Sequence, residues 1–530
     1  MSVINRRQLA VTGLLAISLA MPPPACGMEP GELPDMVKRA LQRAGVRDSG
    51  YAVLVTEPSA TVADIEHAAD MPFNPASTMK LLTTLAALDI LGTGFRFHTD
   101  IHTTGRLRKG VLEGDLIIRG GNDPSLSYER LRELVKRLRK RGIREIRGDV
   151  LVDRSLYAAR AAEQTGFFAE RENPLNAPPD SLVVQHKVVV VKLVPDARDQ
   201  RVAVSLEPAL PVVRHGGDVA LGAGPCPPDW KDRMPVRVRG ESGATVIDLA
   251  GELAAACGPR AVTISVLDHA VYFAAAFTQL WRQEGGTLGG SLKPVETLPR
   301  RAPLFEIFES PPLLQIVREI NKSSNNMMAR QLFIHLGTTA ADPAPPVAAD
   351  TAGGVSLTAP QRKPRPPSEA EQRALIDQRP RLLAARAGER ISRWLFESKI
   401  DMPGLVMENG AGLSAIERVS ARGMARLLKH ALSRPYAREF VESLPLAGLD
   451  GTMRQRLKSS DVAGMARLKT GTLSDVRAIA GYVRDARDRL YILVFMVNGR
   501  NAAASVGAID QTVEWLYRRG REPLDARDPR

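Results

Sequence analysis

Apolar positions along the chain fall into blocks of different period, and these blocks predict the elements. Tyr51-Ala52-Val53-Leu54-Val55-Thr56 is a short, nearly continuous apolar run of the kind that forms a strand. A second short strand is expected over 61–68, completing a hairpin. The stretch 81–91 is apolar at helical length and carries one charge, Asp89. The character changes at Gly92-Thr93-Gly94. From 98 to 299 come many short β segments punctuated by Gly and Pro, such as Asp115-Leu116-Ile117-Ile118-Arg119-Gly120-Gly121. Strands are expected over 148–153, 181–194 and 201–206, a basic amphipathic helix over 128–141, a loop over 208–235 and a closing helix over 270–285. The pattern turns helical again from Pro311 through Leu332, with further helices over 368–399 and 420–433. Between them, 337–367 is rich in Ala, Pro and Thr with little periodicity and reads as a mobile surface loop. Strands over 466–472, 476–483 and 489–497 and a helix over 503–518 end the chain. A hairpin, a helical middle and three late strands suggest one α/β sandwich, held by segments 28–95 and 301–530. A β-rich insertion of one or two subdomains over 96–300 interrupts it.

At 530 residues the chain is too long for one ordinary core, which agrees with that division. Lys and Arg number 72 against 59 Asp and Glu, a net charge of +13. Nucleic acid is not the expected partner, because no zinc-finger spacing, aromatic RNA-binding signature or basic zipper is present. A basic surface facing an anionic envelope polymer is an equally physical reading of the excess. The first 27 residues change the picture more. Arg6-Arg7 precede an apolar run from Leu9 to Met21, three prolines and the small residues Ala25-Cys26-Gly27. That pattern is a secretory signal peptide over 1–27, cleaved after Gly27, and it implies a periplasmic protein. No later stretch is long and apolar enough to be an integral membrane span. Two cysteines remain, Cys226 and Cys257, a pair that an exported protein can join. No His cluster supports a metal, and nothing calls for a cofactor.

Candidate chemistry concentrates in Asn74-Pro75-Ala76-Ser77-Thr78-Met79-Lys80, just ahead of the 81–91 helix. Pro75 suits a helix start, and Ser77 then falls at the first turn, where free N–H groups and the positive dipole end lie. Lys80 is three residues on, so both side chains share one face. A desolvated, neutral lysine beside a serine can take its proton and make it a nucleophile. Chance alone supplies about one or two Ser-x-x-Lys spacings in a chain of this length. Ser77 begins the only one here, and the apolar helix after it makes Lys80 a candidate for burial. Three later stretches offer partners: Lys322-Ser323-Ser324-Asn325-Asn326 in a polar turn, Lys469-Thr470-Gly471-Thr472 in a strand, and the Gly-rich Glu408-Asn409-Gly410-Ala411-Gly412-Leu413-Ser414. Gly471 would let a ligand approach the strand backbone closely.

The order Ser-x-x-Lys, Ser-x-Asn, Lys-Thr-Gly resembles that of the penicillin-recognising serine acyltransferases, which share it with class A β-lactamases. With Gly121-Asn122-Asp123-Pro124, Gly148-Asp149-Val150, Asn409-Gly410-Ala411-Gly412-Leu413-Ser414 and Ala447-Gly448-Leu449-Asp450-Gly451-Thr452, the chain looks like a class C low-molecular-mass penicillin-binding protein. These are D-alanyl-D-alanine carboxypeptidases/endopeptidases of the penicillin-binding protein 4 type, peptidase family S13. The resemblance covers the mature chain except 337–367. The long insertion between the first two motifs is that family's hallmark and is foreign to β-lactamases.

The resemblance implies a penicillin-binding transpeptidase/serine β-lactamase-like sandwich and the following roles. Ser77 attacks the carbonyl between two D-alanines, with Lys80 as base. Ser324 relays the proton to the leaving amine, and Asn326 binds the substrate amide and steadies Lys80. Lys469, Thr470, Gly471 and Thr472 hold the terminal carboxylate, and the N–H groups of Ser77 and Thr472 form an oxyanion hole. Ser323/Asn325 fits the second motif in a shifted register, but Ser324-Asn325-Asn326 resembles the family form. Asp153 is implied as a contact for the side-chain amine of the stem-peptide diamino acid; its alternative is a strand-end Asp capping a turn. The implied partners are peptidoglycan peptides, with β-lactams as inhibitors. Asn409 and Ala411 depart from the Asp-Gly-Ser-Gly-Leu-Ser common in the family. The rival readings are a non-catalytic peptidoglycan-binding or scaffold protein and a β-lactamase-like hydrolase.

Overall fold

A computed structural model describes residues 31–156, 179–241, 243–265, 267–295, 302–338 and 369–519. The expected signal peptide and all of the expected 337–367 loop beyond residue 338 lie outside them.

Distant parts of the chain meet in one antiparallel sheet. Its strand order is Ile65–His67, Tyr51–Thr56, Leu490–Asn498, Val476–Arg484, Ala466–Leu473. The first hairpin therefore joins the sheet through Tyr51–Thr56, which pairs antiparallel with residues 492–497 of Leu490–Asn498. Both faces of this sheet are covered, which is why Tyr51–Thr56 reads as a run and not as an alternation. Helices α1 (Asp35–Arg43) and α10 (Val506–Arg519) bury one face, where Val37, Val53, Val55, Leu493, Phe495 and Val513 pack together. The other face, with Ala52, Leu54, Val494 and Met496, shares a core with α2 (Lys80–Leu91), α5 (Leu313–Ser323), α6 (Asn326–Leu336), α7 (Glu369–Glu397), α8 (Ala421–Leu432) and α9 (Ala437–Ser443). From Lys80 to Leu88 every residue of α2 is buried, so the sequence's apolar helix lies at the centre of this layer. The α/β sandwich is the architecture observed.

The intervening stretch of chain forms a separate core. It contains a five-stranded sheet, in the order Leu292–Val295, Val150–Asp153, Leu116–Arg119, His98–Thr103, Leu304–Glu309, and helices α3 (Tyr128–Lys140) and α4 (His269–Gln283). A three-stranded sheet, Arg201–Glu207, Val189–Asp196, Arg260–Ile264, adds to the same core. Cys226 and Cys257 are joined by a disulfide.

Three expectations need correction. The strand expected over 181–194 begins only at Val189, because Gln185, His186 and Lys187 all take left-handed φ, between +49° and +52°. The loop expected over 208–235 contains two short strands, Val213–Gly216 and Ala220–Gly222, each paired in parallel with a later strand. Ser77 does not sit in the first turn of the α-helix. It lies in a 3-10 turn, Ala76–Met79, and α2 starts at Lys80. The tighter turn follows from Ala76 at φ +44° and from Thr78, whose N–H and hydroxyl both donate to Pro75 O. Among the described residues no helix is long and apolar enough to cross a membrane.

Candidate active site

The turn carrying Ser77 is fixed before the helix begins. Asn74 is buried; its N–H donates to Asn498 Oδ1 at 2.8 Å, and Asn498 Nδ2 donates back to Asn74 O at 3.1 Å. Asn74 Nδ2 donates to Ser414 O, and Asn74 Oδ1 accepts the Ala76 N–H. This holds the turn to the last strand and to the Gly-rich loop together. Residues on both sides of Ser77 are buried, while Ser77 itself is partly exposed. A reactive hydroxyl needs that combination of rigid support and access.

Two close-packed glycines make the fit possible. A Cβ on Gly471 would lie 2.6 Å from Pro75 O and 3.1 Å from Ala76 Cβ. The serine-bearing turn thus makes a close approach at Gly471. Gly412, at φ +79°, would put a Cβ 1.8 Å from Ala76 O and 2.7 Å from Ser77 N. Gly412→Ala is therefore expected to displace the turn and to slow acylation of Ser77 by a penicillin at least about tenfold. Stopped-flow acylation beside a thermal melt checks this, and an unchanged rate would mean that the contact does not set Ser77.

Lys80 is fully buried beneath Ser77. Its Nζ lies 2.9 Å from Ser77 Oγ and 2.6 Å from Asn326 Oδ1, and it also donates to Ala411 O. A neutral amine has two N–H bonds and one lone pair. With both N–H groups on the two carbonyl oxygens, the lone pair faces the Ser77 hydroxyl. Burial holds the Lys80 pKa well below the ordinary lysine value; Lys469 and Arg330 add to the lowering, and Glu417 opposes it.

Lys469 is also fully buried, in the edge strand Ala466–Leu473, and burial pushes its pKa down to about 7. Its Nζ donates to Ser324 Oγ at 2.8 Å and to Thr470 O at 2.7 Å. Ser324 caps α5 in the left-handed conformation, φ +56°, with its hydroxyl on Lys469. The structure thereby brings Ser324 and Asn326 to the two lysines. Ser323 instead donates to Glu319 O, and Asn325 caps α6 by accepting the Met328 N–H. Thr470 is partly exposed with its hydroxyl 2.7 Å from that of Thr452, and Thr472 is exposed. Lys322 anchors the segment before Thr452, donating to Leu444 O and to both Asp450 carboxylate oxygens.

Asp153 does not join this cluster through any hydrogen bond among the described residues. It is fully buried in the inserted sheet, with Oδ1 on the Ser155 N–H and Oδ2 3.5 Å from Arg119 Nε. The inserted region reaches the site by another route. Asn122 Nδ2 donates to Gln331 O, and Gln331 Nε2 donates to Asn122 Oδ1 and Asp180 O. Asn325 Nδ2 lies 3.4 Å from His186 Nε2. Asn74, Asn122 and Thr452 were visible in the sequence only as parts of motifs, and Asn498 carried no signal.

With this geometry established, comparisons identify the relatives. The profile of the D-Ala-D-Ala carboxypeptidase 3 (S13) family matches residues 34–355 and 378–519. A D-alanyl-D-alanine carboxypeptidase of Actinomadura sp. is 26% identical over 459 residues, covering 82% of this chain and 75% of its own. The D-alanyl-D-alanine carboxypeptidase DacB of Haemophilus influenzae is 24% identical over 429 residues, 80% of each chain. The crystal structure of penicillin binding protein 4 (dacB) from Haemophilus influenzae superposes with a TM-score of 0.67 at 20% identity, over 92% of this chain and 99% of that one.

Proposed function

From the D-Ala-D-Ala carboxypeptidase 3 (S13) family, to which this chain belongs, we propose the function: a serine-type D-Ala-D-Ala carboxypeptidase and DD-endopeptidase acting on peptidoglycan stem peptides and cross-links. The observation that carries the reading is the Ser77 hydroxyl 2.9 Å from a fully buried lysine amine, with a second buried lysine, Lys469, bonded to Ser324 and near enough to act on the first.

In this reading Lys80 takes the Ser77 proton as Oγ bonds to the carbonyl carbon of the penultimate D-alanine. The oxyanion that forms is held by the N–H groups of Ser77 and Thr472, each worth about 3 to 4 kcal/mol in comparable acyl-transfer sites. The C–N bond then breaks, and the proton passes from Lys80 through the Ser324 hydroxyl to the leaving amine. Lys469, Thr470 and Thr472 hold the terminal carboxylate, and Asn326 binds the substrate amide while keeping Lys80 in place. Water cleaves the acyl-enzyme and restores Ser77. A β-lactam enters by the same attack but leaves slowly, and so inhibits. Asp153, implied by the family resemblance as a contact for the side-chain amine of the stem-peptide diamino acid, is buried with its Oδ2 3.5 Å from Arg119 Nε.

The signal-like pattern over 1–27 and the Cys226–Cys257 disulfide support export to an oxidising periplasm. Incubation with pentapeptide and cross-linked muropeptides, followed by mass analysis, tests the activity. Loss of one terminal D-alanine and conversion of cross-linked dimers to monomers are the expected products. A protein that binds muropeptides and changes none of them would favour the scaffold reading instead.

A further inference from the structure

Glu417 has the form of a functional group that the mechanism above leaves unused. It is a carboxylate with no exposed surface, in the loop following the Gly-rich segment. Its Oε1 accepts three successive backbone N–H groups, those of Glu408, Asn409 and Gly410, at 3.2, 3.0 and 3.1 Å. Three donors converging on one oxygen form an anion-binding nest. Here the anion belongs to the chain itself.

The segment so gathered reaches directly into the site. Gly410 O accepts the Thr83 hydroxyl at 2.6 Å, one turn along α2 from Lys80. The next carbonyl, Ala411 O, accepts from Lys80 Nζ. One residue later Gly412 packs against Ala76 O and Ser77 N. Glu417 therefore fixes a short stretch that touches both reacting side chains' supports.

We propose that Glu417 is the positioning residue of the general base: by gathering the 408–410 N–H groups it sets the Ala411 carbonyl, which holds the Lys80 amine on Ser77. This rests on the reading of Ser77 and Lys80 as nucleophile and base. It carries an electrostatic consequence as well. The charged groups acting on Lys80 are Lys469 from the edge strand, Arg330 from α6 and Glu417 from the loop. Glu417 is the anion among them and favours the protonated amine. Arg330, itself buried, is acted on by Glu417 and Glu408. Burial pushes the Glu417 carboxyl up, while the three N–H donors and Lys80 hold it down. Removing its charge makes Lys80 easier to deprotonate.

The test measures acylation by a fluorescent penicillin against pH for wild type, Glu417→Gln and Glu417→Ala, with thermal melts of each. Glu417→Gln keeps one oxygen for the three N–H groups. It is expected to retain acylation within about tenfold of wild type and to move the acid limb of the profile down by about half a pH unit or more. Glu417→Ala is expected to acylate about 10- to 100-fold more slowly. A residue that merely staples the loop would leave the acid limb of Glu417→Gln in place, and that result overturns the proposal. Wild-type rates in both variants do the same. Should Glu417→Ala fail to fold, the Glu417→Gln profile alone decides. A wild-type protein that takes up no penicillin at Ser77 overturns the hydrolase reading and this one with it. Normal wild-type acylation with an unmoved Glu417→Gln limb overturns this one alone.

Discussion

Ser77→Ala is expected to abolish covalent labelling by a fluorescent penicillin and to lower D-alanine release by about a thousandfold or more. The same protein should melt within a few degrees of wild type. The substitution removes one oxygen from a partly exposed position and leaves the supports of the turn intact. Asn74 still bridges Asn498 and Ser414, and Gly471 and Gly412 still pack against the turn. Lys80 keeps both carbonyl acceptors, Asn326 Oδ1 and Ala411 O, so its buried amine is not orphaned. Loss of activity with the fold retained would separate the hydrolase from a scaffold that has only inherited this architecture. Labelling that persists in Ser77→Ala would place the nucleophile elsewhere and remove the basis of the mechanism.

The parts of this site that were legible in the sequence are those where local spacing already contains the geometry. Ser77 and Lys80 are three residues apart, a spacing that one helical turn, here the 3-10 turn leading into α2, brings onto one face. The late strands were legible because both sheet faces are buried, giving apolar runs such as Leu490–Asn498. Their neighbours were not, since nothing in Tyr51–Thr56 specifies that it lies against Leu490–Asn498. The register of the second motif, Ser324/Asn326 against Ser323/Asn325, depends on one left-handed residue, Ser324, whose conformation no periodicity reports. The 181–188 segment read as strand because Leu182-Val183-Val184 and Val188 run into the β-branched stretch that follows. In the folded chain Ser181 O accepts the Asn122 N–H, Val183 packs on Met327 of α6, and His186 Nε2 lies 3.4 Å from Asn325 Nδ2. Glu417 could not have been found, because its role rests on three main-chain N–H groups and any sequence has those. At Gly471 the sequence showed a need for closeness but not that the serine-bearing turn makes one such approach, because that turn lies about four hundred residues away in the chain.

Lys80→Met and Lys469→Met should each cost about a thousandfold in acylation while making the folded protein harder to unfold at neutral pH and below. The reason lies in how the two amines are held. Burial pushes Lys469 down to about 7 from the ordinary lysine value of 10.5. Between those two values the unfolded chain carries a proton on this lysine that the folded chain lacks. Stability therefore rises with pH across that window, and below about pH 7 the fold bears the whole cost of a buried ammonium, on the order of a few kcal/mol. Methionine removes that cost but leaves Ser324 Oγ and Thr470 O without a donor, which offsets part of the gain. Lys469→Met is expected to melt about 2 to 6 °C above wild type at pH 6, with the difference shrinking steadily as pH rises from about 7 towards 10. Lys80, held low by the same burial and by Lys469 itself, should behave in the same direction. In the active protein the two lysines divide the pH range. Lys80 must lose its proton to act on Ser77, which sets an acid limb. Lys469 must keep its proton to hold a carboxylate, so kcat/KM should fall again above about pH 7, while bound substrate carboxylate moves that limb of kcat upward. Melting differences that do not change with pH would show that neither amine is held against its ordinary charge, and a site built on two desolvated lysines could not then work as described.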